Sequence, residues 1–397
     1  MATLCKHGDA TMVIDQSQKE QLVEESVQAI IDQQGQVPKR MLLIPPDMTR
    51  LHSDAGNITQ IIYKKFSSSI HIDIMPAIGS HFAMTEEEIR EMYGAEIPLE
   101  RFLVHDWKNE VTVLGEIPAD EIQKISGVNE VDYPMKVAIN KILFEGNYDL
   151  ILSIGQVVPH EVIGMANYTK NVCVGVGGSD MINKSHFIGA VYGAEQIMGR
   201  VETPVRAVID YAFKTFLGDL PIYFLMTVME KADEGLLMRG FYCSDRHDDE
   251  AYRLAAKLSQ QVNLDLLDSS VNKVVVYLDP SEFKSTWLGN KAVYRTRMIL
   301  EDEGELIILA PGLREFGEDR ENDRLIRKYG YRKTPEILKA VEENVELQES
   351  LGAAAHLIHG SSEGRFTITY CPGPRVSKAE IEGVGYRYRP YEDAAQT

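Results

Sequence analysis

Short apolar runs alternate with amphipathic stretches along the whole chain, and this restricts it to an α/β fold with helices covering buried strands. After a surface helix over Lys19 to Gln33, KRMLLIPP reads as a buried strand that stops at a double proline. Ile70 to Ile78 (IHIDIMPAI) is predicted as a second strand ended by Gly79, and Thr85-Glu-Glu-Glu88 as a capping box opening a helix through Tyr93. YDLILSIG, NVCVGVGG and PIYFLMTVME are predicted strands, with a helix over Val205 to Leu217 before the last of them. Past a polar helical stretch from His247 to Val262 the pattern restarts: VVVYLDP is a strand, Asn290 to Glu301 a helix, ELIILAPG a strand, PEILKAVEENVELQESL a long helix and RFTITYCP a last strand. A chain of 397 residues exceeds one ordinary core, and the polar SSVN segment is the candidate boundary. The prediction is two α/β domains, residues 1–266 and 267–397, with a cleft between them.

The net charge of −19 disfavours nucleic acid and anionic membrane as partners, so an anionic substrate must meet a locally basic pocket. MATLCKHGDATMVIDQ lacks the basic start and apolar core of a signal peptide, and no apolar run approaches the about 20 residues that span a bilayer. The four cysteines, Cys5, Cys173, Cys243 and Cys371, form no CxxC pair, which fits reduced thiols and a cytoplasmic location. Other features have plain readings. His247-Asp-Asp-Glu250 is an acidic helix start, His356 and His359 are structural residues near a helix end, and FLMTVME is core.

The reactive side chains fall where strands end, which is where open α/β sheets bind ligands. MLLIPP runs into Asp47-Met-Thr-Arg50, IMPAIGS into His81, LILSIGQVVP into His160, and VVVYLDP into Lys284, Trp287 and Lys291. Alone, each has an ordinary role: a turn carboxylate, a solvated arginine, a surface histidine. Together they describe an enzyme acting on an anion, with arginine as a bidentate fork for a carboxylate and histidines as acid and base near neutral pH. The glycines of GVGG, Gly175 to Gly178, suggest a phosphate turn but lack the G-x-G-x-x-G spacing.

At these residues the chain resembles the lactate racemase family. PPDMTRLHSD is similar to the family's D-x-T-R-P-x-P-S turn and places Asp47, Thr49, Arg50 and Ser53. AIGSHFAMTEEEIREMYG is similar to A-T-G-x-H-R-x-x-T-x-E-E-L and places His81. His160, then Lys170 ten residues on, then His186 sixteen further, repeats the family's order of catalytic histidine, cofactor-bonded lysine and nickel-ligating histidine. There are departures. Asn167-Tyr168-Thr169 stands where the family usually shows Gly-Gly-Arg, and Lys184 competes with Lys170 as attachment residue. STWLGNKAV resembles an aromatic-Gln-x-x-Lys substrate segment, placing Trp287 and Lys291, with Leu288 where the glutamine often stands.

The resemblance implies a nickel-pincer nucleotide (the nickel complex of pyridinium-3-thioamide-5-thiocarboxylic acid mononucleotide) bonded to Lys170, contacted by Thr49 and Ser53 and ligated by His186. It implies racemisation or epimerisation of a small 2-hydroxy acid by reversible hydride transfer, with enzymes of cofactor biosynthesis as partners. His81 and His160 would be the two acid–bases, Asp47 would orient one of them, Arg50 and Lys291 would hold the carboxylate, and Trp287 and Leu288 would line the pocket. Two alternatives stand beside it: a zinc hydrolase or lyase using His81, His160 and His186, and a non-catalytic hydroxy-acid-binding protein.

Overall fold

The computed structural model describes residues 4–395; residues 1–3, part of the amino-terminal stretch read above for a leader, and 396–397 lie outside it. The chain forms two compact units. The first takes Met1–Gly127, Val131–Ile182 and Met198–Asp265, and the second Val128–Glu130, Asn183–Ile197 and Leu266–Thr397.

The strands of the first unit are β1 (Cys5–Gly8), β2 (Arg40–Ile44), β3 (His71–Ile74), β4 (Val111–Ile117), β5 (Met135–Asn140), β6 (Leu150–Gln156), the two-residue β7 (Pro159–His160) and β8 (Gly164–Met165), β9 (Ile222–Ala232) and β10 (Gly235–Asp245). Six of them form one sheet in the order β1-β10-β9-β6-β2-β3. β9, β6, β2 and β3 run parallel; β10 is antiparallel to both its neighbours, β9 and β1, so β1 runs in the same direction as the other four. Met41, Leu42, Leu43 and Ile44 of β2 are fully buried, as expected for a parallel strand covered on both faces. Each such side chain contributes about 1.5–3 kcal/mol of burial. β2 leads outward to β3, and the chain then returns to lay β6 on the other side of β2, so the order reverses between β2 and β6. A crevice opens at the carboxyl ends of strands at such a reversal.

The second unit holds a parallel sheet in the order β11 (Val271–Tyr277), β12 (Leu300–Ala310), β13 (Thr367–Pro372) and β14 (Arg387–Tyr388). Among the described residues no helix is long and apolar enough to cross a membrane.

Several local expectations are corrected. NVCVGVGG is not a strand: Thr169–Cys173 is helical, and the glycines form a turn that touches β5 through one bridge, Ile139 to Gly177. A Cβ on Gly177 would lie 1.9 Å from Cys173 O and one on Gly178 3.0 Å from Ala138 Cβ, so these glycines serve close packing. β10 escaped notice because a bulge at Met238/Gly240 breaks its alternation. The long helix is interrupted at Asn344 (φ −133°, ψ 112°), whose side chain caps Ala340 O at 2.8 Å. The helix predicted for Asn290 to Glu301 stops at Thr296 and yields to β12.

Candidate active site

The first unit brings the ends of β2 and β3 together through main-chain bonds that continue past the strands, Met75 N to Leu43 O at 2.8 Å and Ala77 N to Pro45 O at 2.7 Å. This registers Asp47 against His81: the imidazole Nδ1 donates to Asp47 Oδ2 at 2.6 Å. Asp47 Oδ1 accepts from Thr49 N at 3.2 Å and Thr49 Oγ1 at 2.5 Å, which starts the turn Met48–Ser53. Burial pushes the Asp47 carboxyl up. The bond from His81, the positive charges of His81 and Arg50 and the bond from Thr49 outweigh it, and the group stays below the ordinary carboxylate range. With Nδ1–H committed to a carboxylate, the neutral ring of half-exposed His81 carries its lone pair on Nε2. That is the arrangement of an oriented general base.

Lys170 is half-buried on the helix Thr169–Cys173, and among the described residues its amine makes no hydrogen bond or ion pair. Its pKa is lowered to about 8, first by burial and then by the charge of Arg50, with Arg206 adding to it and the charges of Glu161 and Asp47 opposing. The charges of those four residues therefore all act on one amine.

The loop leading to Lys170 has an unusual backbone. Asn167 (φ 68°) and Tyr168 (φ 57°, ψ −137°) both take positive φ at the two positions where the resembling family shows glycine. Buried Arg206 holds them there. Its Nη2 donates to Met165 O at 2.6 Å, and Nη1 donates to Asn167 O at 3.3 Å and to Thr169 Oγ1 at 2.9 Å. Tyr168 is fixed by stacking on Tyr252, with centroids 5.0 Å apart. The sequence signal for Arg206 is its place on the apolar stripe with Ile209 and Phe213 in the helix Pro204–Phe216, where a cation must be paired. Asn167 was missed because it reads as a loop residue. Its side chain is buried and both amide atoms lack a partner. It sits at the reversal between β2 and β6: a Cβ on Gly155 would be 3.2 Å from Asn167 Nδ2 and 3.7 Å from Pro46 Cδ.

The remaining predicted residues fall as follows. His160 is buried on β7 and its Nδ1 accepts from Val162 N at 3.1 Å, so the neutral ring carries its proton on Nε2, the reverse of His81. Ser53 is buried, with Oγ accepting from Ala55 N at 3.3 Å, and its carbonyl accepts from Thr227 Oγ1 at 2.8 Å. His186 lies on the helix Ser179–Tyr192, in the part that belongs to the second unit. Also in the second unit, Trp287 and Leu288 are half-buried on the helix Thr286–Gly289, and Lys291 begins the next one. Among the described residues no three His, Cys, Asp or Glu side chains are grouped as metal ligands.

Trp287 stacks on His356 with centroids 4.2 Å apart. Both nitrogens of that imidazole meet phenols, Nδ1 with Tyr294 Oη at 2.9 Å and Nε2 with Tyr331 Oη at 3.0 Å. Burial, with a contribution from His359, lowers the His356 pKa to about 3. The unfolded chain therefore binds this proton more readily than the folded one. The stability that His356 contributes is complete above about pH 6.5 and falls as pH drops toward 3. Urea midpoints at pH 7 and pH 4.5 should show a loss of about 3 kcal/mol attributable to this residue, and His356→Gln should flatten that acid limb. An unchanged limb would assign the acid sensitivity to other groups.

Residues 3–199 match the family described as the lactate racemase N-terminal domain. Among solved structures, a Thermotoga maritima protein superposes with a TM-score of 0.80 at 21% identity, covering 94% of this chain and 92% of that one. The lactate racemase apoprotein from Thermoanaerobacterium thermosaccharolyticum does so with a TM-score of 0.69 at 16% identity, covering 95% and 87%. At these identities the likeness is one of fold. No curated protein matches the chain.

Proposed function

Because the chain belongs, through its N-terminal half, to the lactate racemase family, we propose that it is a racemase or epimerase of a small 2-hydroxy acid. The observation that carries this reading is the Lys170 amine, without a hydrogen bond or ion pair among the described residues and acted on by the charges of Arg50, Arg206, Glu161 and Asp47, with Asp47 in turn bonded to His81. A hydrolase has no evident need for an uncoupled, half-buried lysine there, whereas a tethered cofactor needs a free amine. The residues present fit the nickel-pincer nucleotide on two counts: that amine, and the unpartnered Asn167 amide beside Gly155 at the strand-order reversal. Lys170 would hold the group covalently, Thr49 and Ser53 would contact it, and His186 would offer the imidazole donor to nickel. When bound, the group supplies a hydride acceptor, so the weakly acidic α-hydrogen need not leave as a proton.

The chain's own residues then have defined tasks. His81 takes the substrate hydroxyl proton at Nε2, and Asp47 stabilises the imidazolium through Nδ1–H. Arg50 offers its fork to the substrate carboxylate. His160 is the proposed partner acid–base, its Nδ1 accepting from Val162 N. Trp287, Leu288 and Lys291 are the proposed substrate contacts of the second unit, Leu288 removing an amide donor that a lactate site would use. The reading is tested on protein made in cells that synthesise the cofactor. Intact mass should exceed that of the bare chain, and a panel of chiral 2-hydroxy acids should lose optical purity. His81→Ala should keep the mass increment and lower exchange by about 10²–10⁴-fold. A loaded protein that binds such acids without exchanging them would favour the non-catalytic alternative, and a mass that never exceeds the bare chain would remove the cofactor.

A further inference from the structure

Three consecutive strands of the second unit end in loops that pack backbone against backbone. Pro280 follows β11, Pro311 and Gly312 follow β12, and Gly373 follows β13. A Cβ on Gly312 would lie 2.6 Å from Pro280 Cα, and one on Gly373 2.3 Å from Pro311 O, so the loops close up only because both residues are glycine. They enclose a cleft of about 350 Å³ lined by Pro280, Lys284, Pro311, Gly312, Arg314 and Arg375. Each loop contributes one cation, and no carboxylate lines the cleft. Of the neighbouring acids, Asp279 is turned to Ser281, its Oδ1 accepting from Ser281 N and Oγ at 2.8 and 2.6 Å, while Glu315 Oε1 accepts from Arg314 Nε at 3.1 Å and so pairs with one of the three cations. That last bond leaves both Nη groups of Arg314 for a ligand.

Three cations gathered this way are unusual on a chain of net charge −19. In the same unit Arg324 is paired with Glu321 and Glu346, and Arg327 with Asp323 and Glu380. Among the described residues the side chains of Lys284 and Arg375 have no hydrogen bond or ion pair. The cleft also lies at the carboxyl ends of parallel strands, the edge at which α/β sheets take ligands.

We propose that this cleft is a binding site for a small oxyanion carrying two or more negative charges, a ligand chemistry separate from the racemase reading and testable without its cofactor. The full-length chain is titrated calorimetrically with inorganic phosphate, with succinate as a second arm and sodium chloride at matched ionic strength as the control. Saturable one-site binding of phosphate or succinate is expected, and the tighter of the two assigns the ligand as phosphoryl or dicarboxylate. The double variant Lys284→Gln/Arg375→Gln should weaken that binding at least tenfold, while Arg50→Gln, in the first unit, should leave it within twofold. The substituted side chains are exposed, and an unchanged melting temperature verifies folding. Binding that does not saturate, that matches chloride, or that persists in the double variant overturns the proposal. So does binding lost in Arg50→Gln alone, which would place the anion in the first unit.

Discussion

Lys170→Ala is expected to abolish covalent loading outright, leaving the intact mass at that of the bare chain under conditions where the parent protein gains an increment. The bond requires a neutral amine. With its pKa near 8, roughly a quarter of Lys170 is neutral at pH 7.5, against about one part in a thousand for an unperturbed lysine. Acylation of the parent chain by an amine-directed reagent, followed by peptide mapping, should therefore show Lys170 reacting with a midpoint near pH 8 while surface lysines lag. The same shift has a thermodynamic side. Between pH 8 and 10.5 the unfolded chain holds the Lys170 proton more firmly than the folded one, so stability rises with pH across that window, and below pH 8 the full destabilisation is present. Lys170→Met removes it and should raise stability at pH 7 by up to about 3 kcal/mol, the gain vanishing above pH 10.5. If Lys184 acylates first and Lys170→Met shows neither the mass loss nor the stability gain, the attachment residue is misassigned.

Arg206→Gln should have the second largest effect, through the loop rather than through contact with substrate. The backbone of Asn167 and Tyr168 is held at positive φ by guanidinium bonds to Met165 O and Asn167 O, and each such non-glycine residue costs about 1–3 kcal/mol. Without the clamp those carbonyls lose their donor in a buried place, and the loop relaxes toward negative φ. The Lys170 acylation midpoint should rise from about 8 toward 10.5 and its rate at pH 7.5 should fall about 10–100-fold. Stability should fall by about 3–5 kcal/mol. Asn167→Gly in the Arg206→Gln background should recover part of the Lys170 reactivity, because glycine takes φ 68° without strain. A rise in the midpoint that Asn167→Gly leaves unchanged would assign the shift to the lost guanidinium charge rather than to the loop.

These contrasts show what could be read from the sequence. The α/β class and most strands of the sheets were legible because buried parallel strands are continuous apolar runs with abrupt ends, as in KRMLLIPP and YDLILSIG. Asp47 and His81 were found at those ends, and their contact follows from β2 and β3 being neighbours. Arg206, Asp210 and Asn167 were not found. They act on the loop before Lys170 from positions 36 or more residues apart or from an ordinary-looking turn, and Thr169 Oγ1 donating to Asp210 at 2.5 Å has no local signature. GVGG misled for the opposite reason: glycine is needed both where a phosphate approaches and where two backbones touch, and only coordinates separate those cases.

The bonds that carry the β2 and β3 ladder past the strand ends also set which changes this chain can tolerate. One residue inserted between Ile74 and Ile78 would shift His81 along the strand direction by about 3.3 Å and turn it to the other face, out of reach of the Asp47 carboxylate. Length variation in this lineage should accordingly gather in segments outside that ladder, and a duplicated residue within it should read as a silenced copy.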